Sequence, residues 1–348
     1  MLLAIPFPPW LTPEIIPGFF IPLRWYSVGY LLAFGTAFLL YRKQIRERKF
    51  PMTEDDLSSL FLGGIFCLVL GARIFSTLVY ETSDIYRMRP WLIFWPFHNG
   101  TFVGFQGMSY HGGVIGGISA ILVYSKIKGY DHREIGDMFA ASIPLGYTFG
   151  RLGNFANAEL YGRVTTGPLG MIFPNAKQVP ASETWVQEIA EKTNIEITGL
   201  TVNLPRHPSQ LYEALLEGIV LWAIIWFFRN RKPYKGFLIS LYLMGYGIFR
   251  FLVEYYRETD STLGYAFEIV KTDLPTALAH PLLSFSTGQV LSFFMIMVGL
   301  IWLIIAKKLP NNTPIKVYSD VIDRPKTLTP EEKKEAQKNR RKLRKKLR

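Results

Sequence analysis

Residues 57–80 read LSSLFLGGIFCLVLGARIFSTLVY, a run whose single formal charge is Arg73. About 20 helical residues cross the ~30 Å hydrocarbon core of a bilayer, so this stretch is long and apolar enough to span one. Working outward, similar blocks occupy 25–41, 109–125, 135–152, 209–228, 236–256 and 288–306. The expected fold is therefore an all-α polytopic membrane protein with about seven transmembrane helices. The composition agrees: 49% of the 348 residues are hydrophobic and 15% aromatic, which excludes a disordered chain. The lone cysteine, Cys67, excludes a disulfide framework. The first block is not a cleavable signal, because MLLAIPFPPW lacks a basic segment and Arg42-Lys43 follows the block directly.

Basic residues set the expected orientation. Arg42, Lys43, Arg46, Arg48 and Lys49 follow the first block. Lys126, Lys128 and Arg133 lie between the third and fourth, and Arg229, Arg231, Lys232 and Lys235 between the fifth and sixth. All three loops fall on one side, so the positive-inside rule predicts an external N-terminus and a cytoplasmic C-terminus. The chain then divides into an external segment 1–24, a membrane domain 25–306 and a basic cytoplasmic tail 307–348. The proline-punctuated 153–208 stretch would carry an external cap at about 163–205. The tail holds fifteen Lys/Arg against five Asp/Glu, which leaves only +2 of the net charge of +12 for the rest. No aromatic residues interleave its basic run, so attraction to anionic lipid is expected and nucleic-acid binding is not.

Ionisable residues within a span are costly and mark sites. Those singled out are Arg73, Arg151, Arg250 and Glu254, with His111 at the mouth of the third block. At 1.5 Å per residue, Arg73, His111, Arg151 and Arg250 lie roughly 21–24 Å from the cytoplasmic ends of their helices, all in the outer leaflet. Each also has a structural reading. Arg73 could snorkel to the headgroups, and Arg250 with Glu254 form an i,i+4 pair that could simply neutralise itself. Around Arg151, the stripe Arg151, Asn154, Asn157 and Glu159 puts polar groups where a helix should be ending. Gly112/Gly116 and Gly113/Gly117 are overlapping small-residue pairs, whose ordinary role is close helix packing.

Two or three arginines facing the outer leaflet suit a phosphate, which guanidinium grips bidentately. The fitting ligand is an anionic lipid headgroup. Histidine spacing offers no metal site, and Cys67 is buried mid-span, so a nucleophile would come with a second substrate. Ser109 as a protease nucleophile is poorly placed against His111 and lacks an acid. A transporter or scramblase that only binds anionic lipid would use the same charges.

Four segments carry a resemblance. They are Met108-Ser109-Tyr110-His111-Gly112-Gly113, the block from Gly150 to Arg163 (GRLGNFANAELYGR), His207-Pro208-Ser209-Gln210-Leu211-Tyr212-Glu213, and the run from Tyr246 to Glu254 (YGIFRFLVE). Together they closely resemble the prolipoprotein diacylglyceryl transferase family, over a stretch from Arg24 to Gln289. The family usually reads GGMS where this chain has Gln106-Gly107-Met108-Ser109.

The resemblance implies a seven-span enzyme of the bacterial cytoplasmic (inner) membrane, active toward the outer leaflet. It would transfer the diacylglyceryl group of phosphatidylglycerol to the lipobox cysteine of prolipoprotein signal peptides and release glycerol phosphate, without a cofactor and as a monomer. It implies essential roles for Arg151 and Arg250 at the lipid site. Functional roles follow for His111, Tyr26, Asn154, Glu159, Gly162 and Glu254. The charge pattern adds Arg73 and Asn157 as substrate-binding candidates. His111 is expected to accept the thiol proton or to orient the phosphate, and Glu159 and Glu254 to hold the arginines.

Overall fold

The computed structural model describes residues 4–15, 24–81, 84–95, 97–98, 101–102, 107–258, 265–269, 275–278 and 280–310. The basic tail from residue 311 onward lies outside them.

In chain order, β1 (Ile5–Pro6) precedes α1 (Trp25–Arg48) and α2 (Glu54–Phe75), which runs on as a π-helical turn, Ser76–Tyr80. The short α3 (Ile85–Met88), a 3₁₀ turn (Pro90–Phe94), β2 (Phe97–His98) and β3 (Thr101–Phe102) lead to α4 (Tyr110–Lys128). Next come α5 (His132–Ala140), α6 (Ile143–Ala156), β4 (Met171–Ile172), β5 (Val179–Pro180), α7 (Thr184–Thr193) and β6 (Thr201–Val202). The helix α8 (Ser209–Glu213) continues through a π-helical turn, Ala214–Val220, into α9 (Leu221–Phe228). The described chain closes with α10 (Phe237–Val253), β7 (Tyr265–Glu268), β8 (Ser284–Ser286) and α11 (Thr287–Lys308).

The protein is thus mostly helical, with helix in each of the seven apolar stretches. Among the described residues, Glu54–Tyr80, Ser209–Phe228 and Thr287–Lys308 are the helical segments long and apolar enough to cross a membrane. Large side chains such as Leu62, Phe66, Val123 and Phe294 face outward from α2, α4 and α11, as lipid contact requires. Short ladders join the segments outside the helices: β1 pairs with β4, β2 with β3, β5 with β6 and β7 with β8, because backbone there must still pair its polar groups. One expectation is corrected. The 135–152 stretch is two helices rather than one. Pro144 has no N–H and its ring would strike the carbonyl of Ala140 in a continuous helix. At the break, Ser142 Oγ donates to the Met138 carbonyl at 2.8 Å and Gln44 Nε2 donates to the same carbonyl at 2.9 Å.

Helix ends follow local chemistry. Thr53 caps α2 by accepting from the Asp56 N–H at 3.0 Å, and Glu54, Asp55 and Asp56 suit the positive end of its dipole. Ser286 and Gln289 form a reciprocal capping box on α11. Three antiparallel neighbours dominate the packing: α1 against α6, α2 against α4, and α10 against α11. Gly112 and Gly116 behave as expected, since a Cβ on either would strike α2 backbone at Gly71 or Cys67. Gly117 has open space around its Cβ position and plays no such part. Opposite the site described below, Arg48, Glu134, Lys232 and Asp137 form a buried ion network, with Lys232 Nζ 2.6 Å from Glu134 and 2.8 Å from Asp137. It ties α1, α5 and the 229–236 loop together.

Candidate active site

The arginines predicted from α6 and α10 meet on one carboxylate that sequence reasoning passed over. Glu213, at the end of α8, has no exposed surface. Its Oε2 lies 2.7 Å from Arg151 Nε, and its Oε1 lies 3.6 Å from Arg250 Nη1 and 2.9 Å from Arg257 Nη1. Three guanidinium groups from two regions of the chain therefore converge on one buried anion, and Arg250 and Arg257 share Glu254 as a second partner. Arg250 Nη2 also lies 2.8 Å from Glu254 Oε2, so the i,i+4 pair read from the sequence forms. Ser286 Oγ donates to the other Glu254 oxygen at 2.9 Å, tying the pair to the start of α11.

Arg151 sits in the last turns of α6. Its Nε donates to the Tyr147 hydroxyl at 2.6 Å, and its Nη1 to Asn154 Oδ1 at 3.4 Å. Asn154 donates in turn to Glu159 at 2.8 Å, and Asn157 to the same oxygen at 3.4 Å. The polar stripe is therefore real, and Glu159 reaches Arg151 by way of Asn154. Ala158 and Leu160, on either side of Glu159, have φ of 52° and 55°, a left-handed conformation unfavourable to side chains with a Cβ and concentrated at functional sites. The Gln210 side chain donates to the Glu159 carbonyl at 2.5 Å and holds this turn against α8.

The remaining candidates divide. Tyr26, hydrogen-bonded to Tyr30 at 2.8 Å, lies within electrostatic reach of Arg151 and Glu159. Tyr110, the first residue of α4, lies within electrostatic reach of Arg151, Glu217, Tyr246 and Arg250. The next residue, His111, is exposed and pairs through Nδ1 with the Tyr80 hydroxyl at 2.7 Å. Ser109 is buried as the cap of α4, accepting from the Gly112 N–H at 3.2 Å, which leaves no role for it as a nucleophile. Arg73 is buried and gives its Nε to the Ile93 carbonyl at 2.6 Å and its Nη1 to the Gly107 carbonyl at 3.3 Å. These bonds fasten Ile93 and Gly107 to α2. Gly162 is buried where three backbones meet: its N–H donates to the His207 carbonyl at 2.8 Å, and the Tyr256 carbonyl occupies the space a Cβ would need. This approach places Arg257 against Glu213.

Outside the membrane helices, burial beside Tyr212 and Tyr256 pushes the His207 imidazole below the usual histidine range. Glu213, Glu217, Tyr147 and Arg257 were not singled out from the sequence. Glu213 and Glu217 did meet the criterion applied to the arginines, since both lie inside the apolar 209–228 block. The helical spacing of Tyr147 from Arg151 was also legible.

Residues 13–305 match the family model described as prolipoprotein diacylglyceryl transferase. The chain belongs to the prolipoprotein diacylglyceryl transferase family. Relatives named phosphatidylglycerol–prolipoprotein diacylglyceryl transferase include one from Treponema denticola, 49% identical over 322 residues, and one from Treponema pallidum, 48% identical over 315. Each alignment covers 86% of this chain and 94% of the relative. One from Borreliella burgdorferi is 40% identical over 317 residues, covering 88% of this chain and 95% of the relative. As a member of the diacylglyceryl transferase family, the protein is a membrane transferase of lipoprotein biosynthesis, and the arginine–glutamate cluster lies within the matched region.

Proposed function

We propose that this transferase moves the sn-1,2-diacylglyceryl group of phosphatidylglycerol onto the thiol of a prolipoprotein lipobox cysteine. The S–C bond forms at the sn-3 carbon as its C–O bond to phosphate breaks, leaving a thioether and sn-glycerol 1-phosphate. The observation that carries this reading is the shared buried carboxylate: Glu213 holds Arg151 and Arg250 side by side. Each arginine side chain keeps 18% of its surface exposed, and Arg250 Nη1 is without a hydrogen-bond acceptor among the described residues. Such donors suit phosphate oxygens, and they stabilise the charge that builds on the leaving group.

His111 accepts the thiol proton at Nε2, with Nδ1–H donating to Tyr80. Asn154 and Glu159 hold Arg151, Glu254 holds Arg250, and Tyr26 and Asn157 border the lipid headgroup. Arg73 acts at a distance, by holding the outer segment in place. Seven apolar blocks and the basic loops support seven spans with an external N-terminus and a cytoplasmic tail, and the family resemblance supports the inner membrane with catalysis in the outer leaflet. The cluster of Val164, Val179, Val186, Ile189, Val202 and Leu204 supports a separately packed cap over that face. The phosphodiester supplies the energy, so no cofactor enters, and one chain carries the whole site.

The test uses purified protein, phosphatidylglycerol and a synthetic lipobox peptide with Cys or Ser at the acceptor position. Mass spectrometry of the peptide is run beside an assay for glycerol phosphate. A diacylglyceryl adduct on the Cys peptide alone, with equal release of glycerol phosphate, is the expected result. Folded protein that binds or flips the lipid without forming an adduct would return the reading to a transporter.

A further inference from the structure

Among the carboxylates around the arginines, Glu217 stands apart. It has no exposed surface and lies in the π-helical turn Ala214–Val220, a rare geometry frequent at functional sites. Glu213 and Glu254 each bind arginines, yet among the described residues no Lys or Arg lies within ion-pair distance of Glu217. Its Oε1 is buried with no hydrogen-bond partner there, while its Oε2 receives the Tyr147 hydroxyl at 2.6 Å.

That hydroxyl carries one proton and faces two carboxylates, Glu217 at 2.6 Å and Glu213 at 3.2 Å. Donation along the shorter contact turns its lone pairs toward Arg151 Nε, 2.6 Å away. Donation to Glu213 would instead compete with Arg151 for the same Oε2. The Tyr147 ring also lies under the Arg151 guanidinium, 4.8 Å from Cζ to centroid, and Tyr246 packs edge-on against it at 5.8 Å.

We propose that Glu217 and Tyr147 are positioning residues for the transfer: Glu217 aims the Tyr147 hydroxyl, and Tyr147 anchors the Nε edge of Arg151, so that the Nη atoms are turned to the phosphate. The proposal rests on the transferase reading and assigns the pair no contact with substrate.

The experiment is a double-mutant cycle on the full chain reconstituted with phosphatidylglycerol. Tyr147→Phe keeps the ring and removes the hydroxyl. It should lower kcat about 10–100-fold, the size of one lost hydrogen bond to a charged group, without moving KM for the lipobox peptide. Glu217→Leu should lose as much, and Glu217→Gln, which still accepts a hydrogen bond, should stay within about threefold of the parent. Because Glu217 acts through the hydroxyl, Glu217→Leu should cost less than about twofold more once Tyr147 is Phe. Losses that multiply in the double variant, a nearly unaffected Tyr147→Phe protein, or a Glu217→Gln protein as poor as Glu217→Leu would each overturn the proposal. The same cycle is measured on sn-glycerol 1-phosphate affinity by calorimetry. If the parent protein shows no transfer, the transferase reading fails, while that second cycle still decides the positioning role.

Discussion

The Tyr80 hydroxyl, on the last residue of the π-helical turn after α2, lies 2.7 Å from Nδ1 of His111 and engages that ring nitrogen in a hydrogen bond. With Nδ1–H donating to Tyr80, Nε2 keeps its lone pair and faces away as a proton acceptor. His111→Gln should then reduce transfer to a cysteine peptide by about 10²–10⁴-fold, the usual worth of general-base catalysis. A selenocysteine peptide, whose selenol ionises without help at neutral pH, should recover most of that loss. Equal loss on both peptides would give His111 the phosphate rather than the thiol.

Arg151→Lys keeps the charge but removes the Nε–H that meets both Tyr147 and Glu213, together with the planar fork that fits a phosphate. The expected kcat/KM is at least about 100-fold below the parent. A lysine variant within a few-fold of the parent would mean that charge alone suffices.

Gly162→Ala places a methyl group on the Tyr256 carbonyl and 2.9 Å from His207 Cβ. We expect a destabilisation of about 1–3 kcal/mol in thermal unfolding, with the folded fraction keeping its specific activity. A variant that melts normally and is inactive would instead make Gly162 a ligand-binding position.

Burial depresses the His207 titration in the folded protein. As pH falls through the unfolded histidine value of about 6.5, the unfolded chain takes a proton that the folded chain refuses, so stability declines on the acid side and is fully present above it. The melting temperature should fall more steeply between pH 7 and pH 5 for the parent than for His207→Gln. His280 is shifted the same way by its burial, so the difference between the two proteins, rather than either slope, isolates His207. Parallel curves would remove His207 from the acid sensitivity.

Much of the site was legible before any coordinates. Arg151, Asn154 and Asn157 were readable because residues three apart share a helix face, with Glu159 following in the turn, and Arg250 with Glu254 because i and i+4 share a face. Glu213 and Glu217 carried the same signal of charge in the apolar 209–228 block, but nothing in the linear pattern showed that they face the arginines. Depth along separate helices sets a level in the membrane but no direction, so it did not reveal that the Arg73 guanidinium donates to the carbonyls of Ile93 and Gly107. The break at Pro144 was written in one residue, yet hydropathy runs across it smoothly.

By itself the sequence determined that this is a mostly helical membrane protein, where its apolar stretches lie, and which residue types could grip an anionic headgroup. These are local properties, set by side-chain transfer energies and helical periodicity. Only the tertiary structure decided that Arg151, Arg250 and Arg257 share Glu213, that Tyr147 stands between two carboxylates, and that His111 answers to Tyr80. Those pairings join α6, α8 and α10, or α4 and the end of α2, and depend on helix rotation and close approach. A linear pattern specifies neither, because packing sets them for all the helices at once.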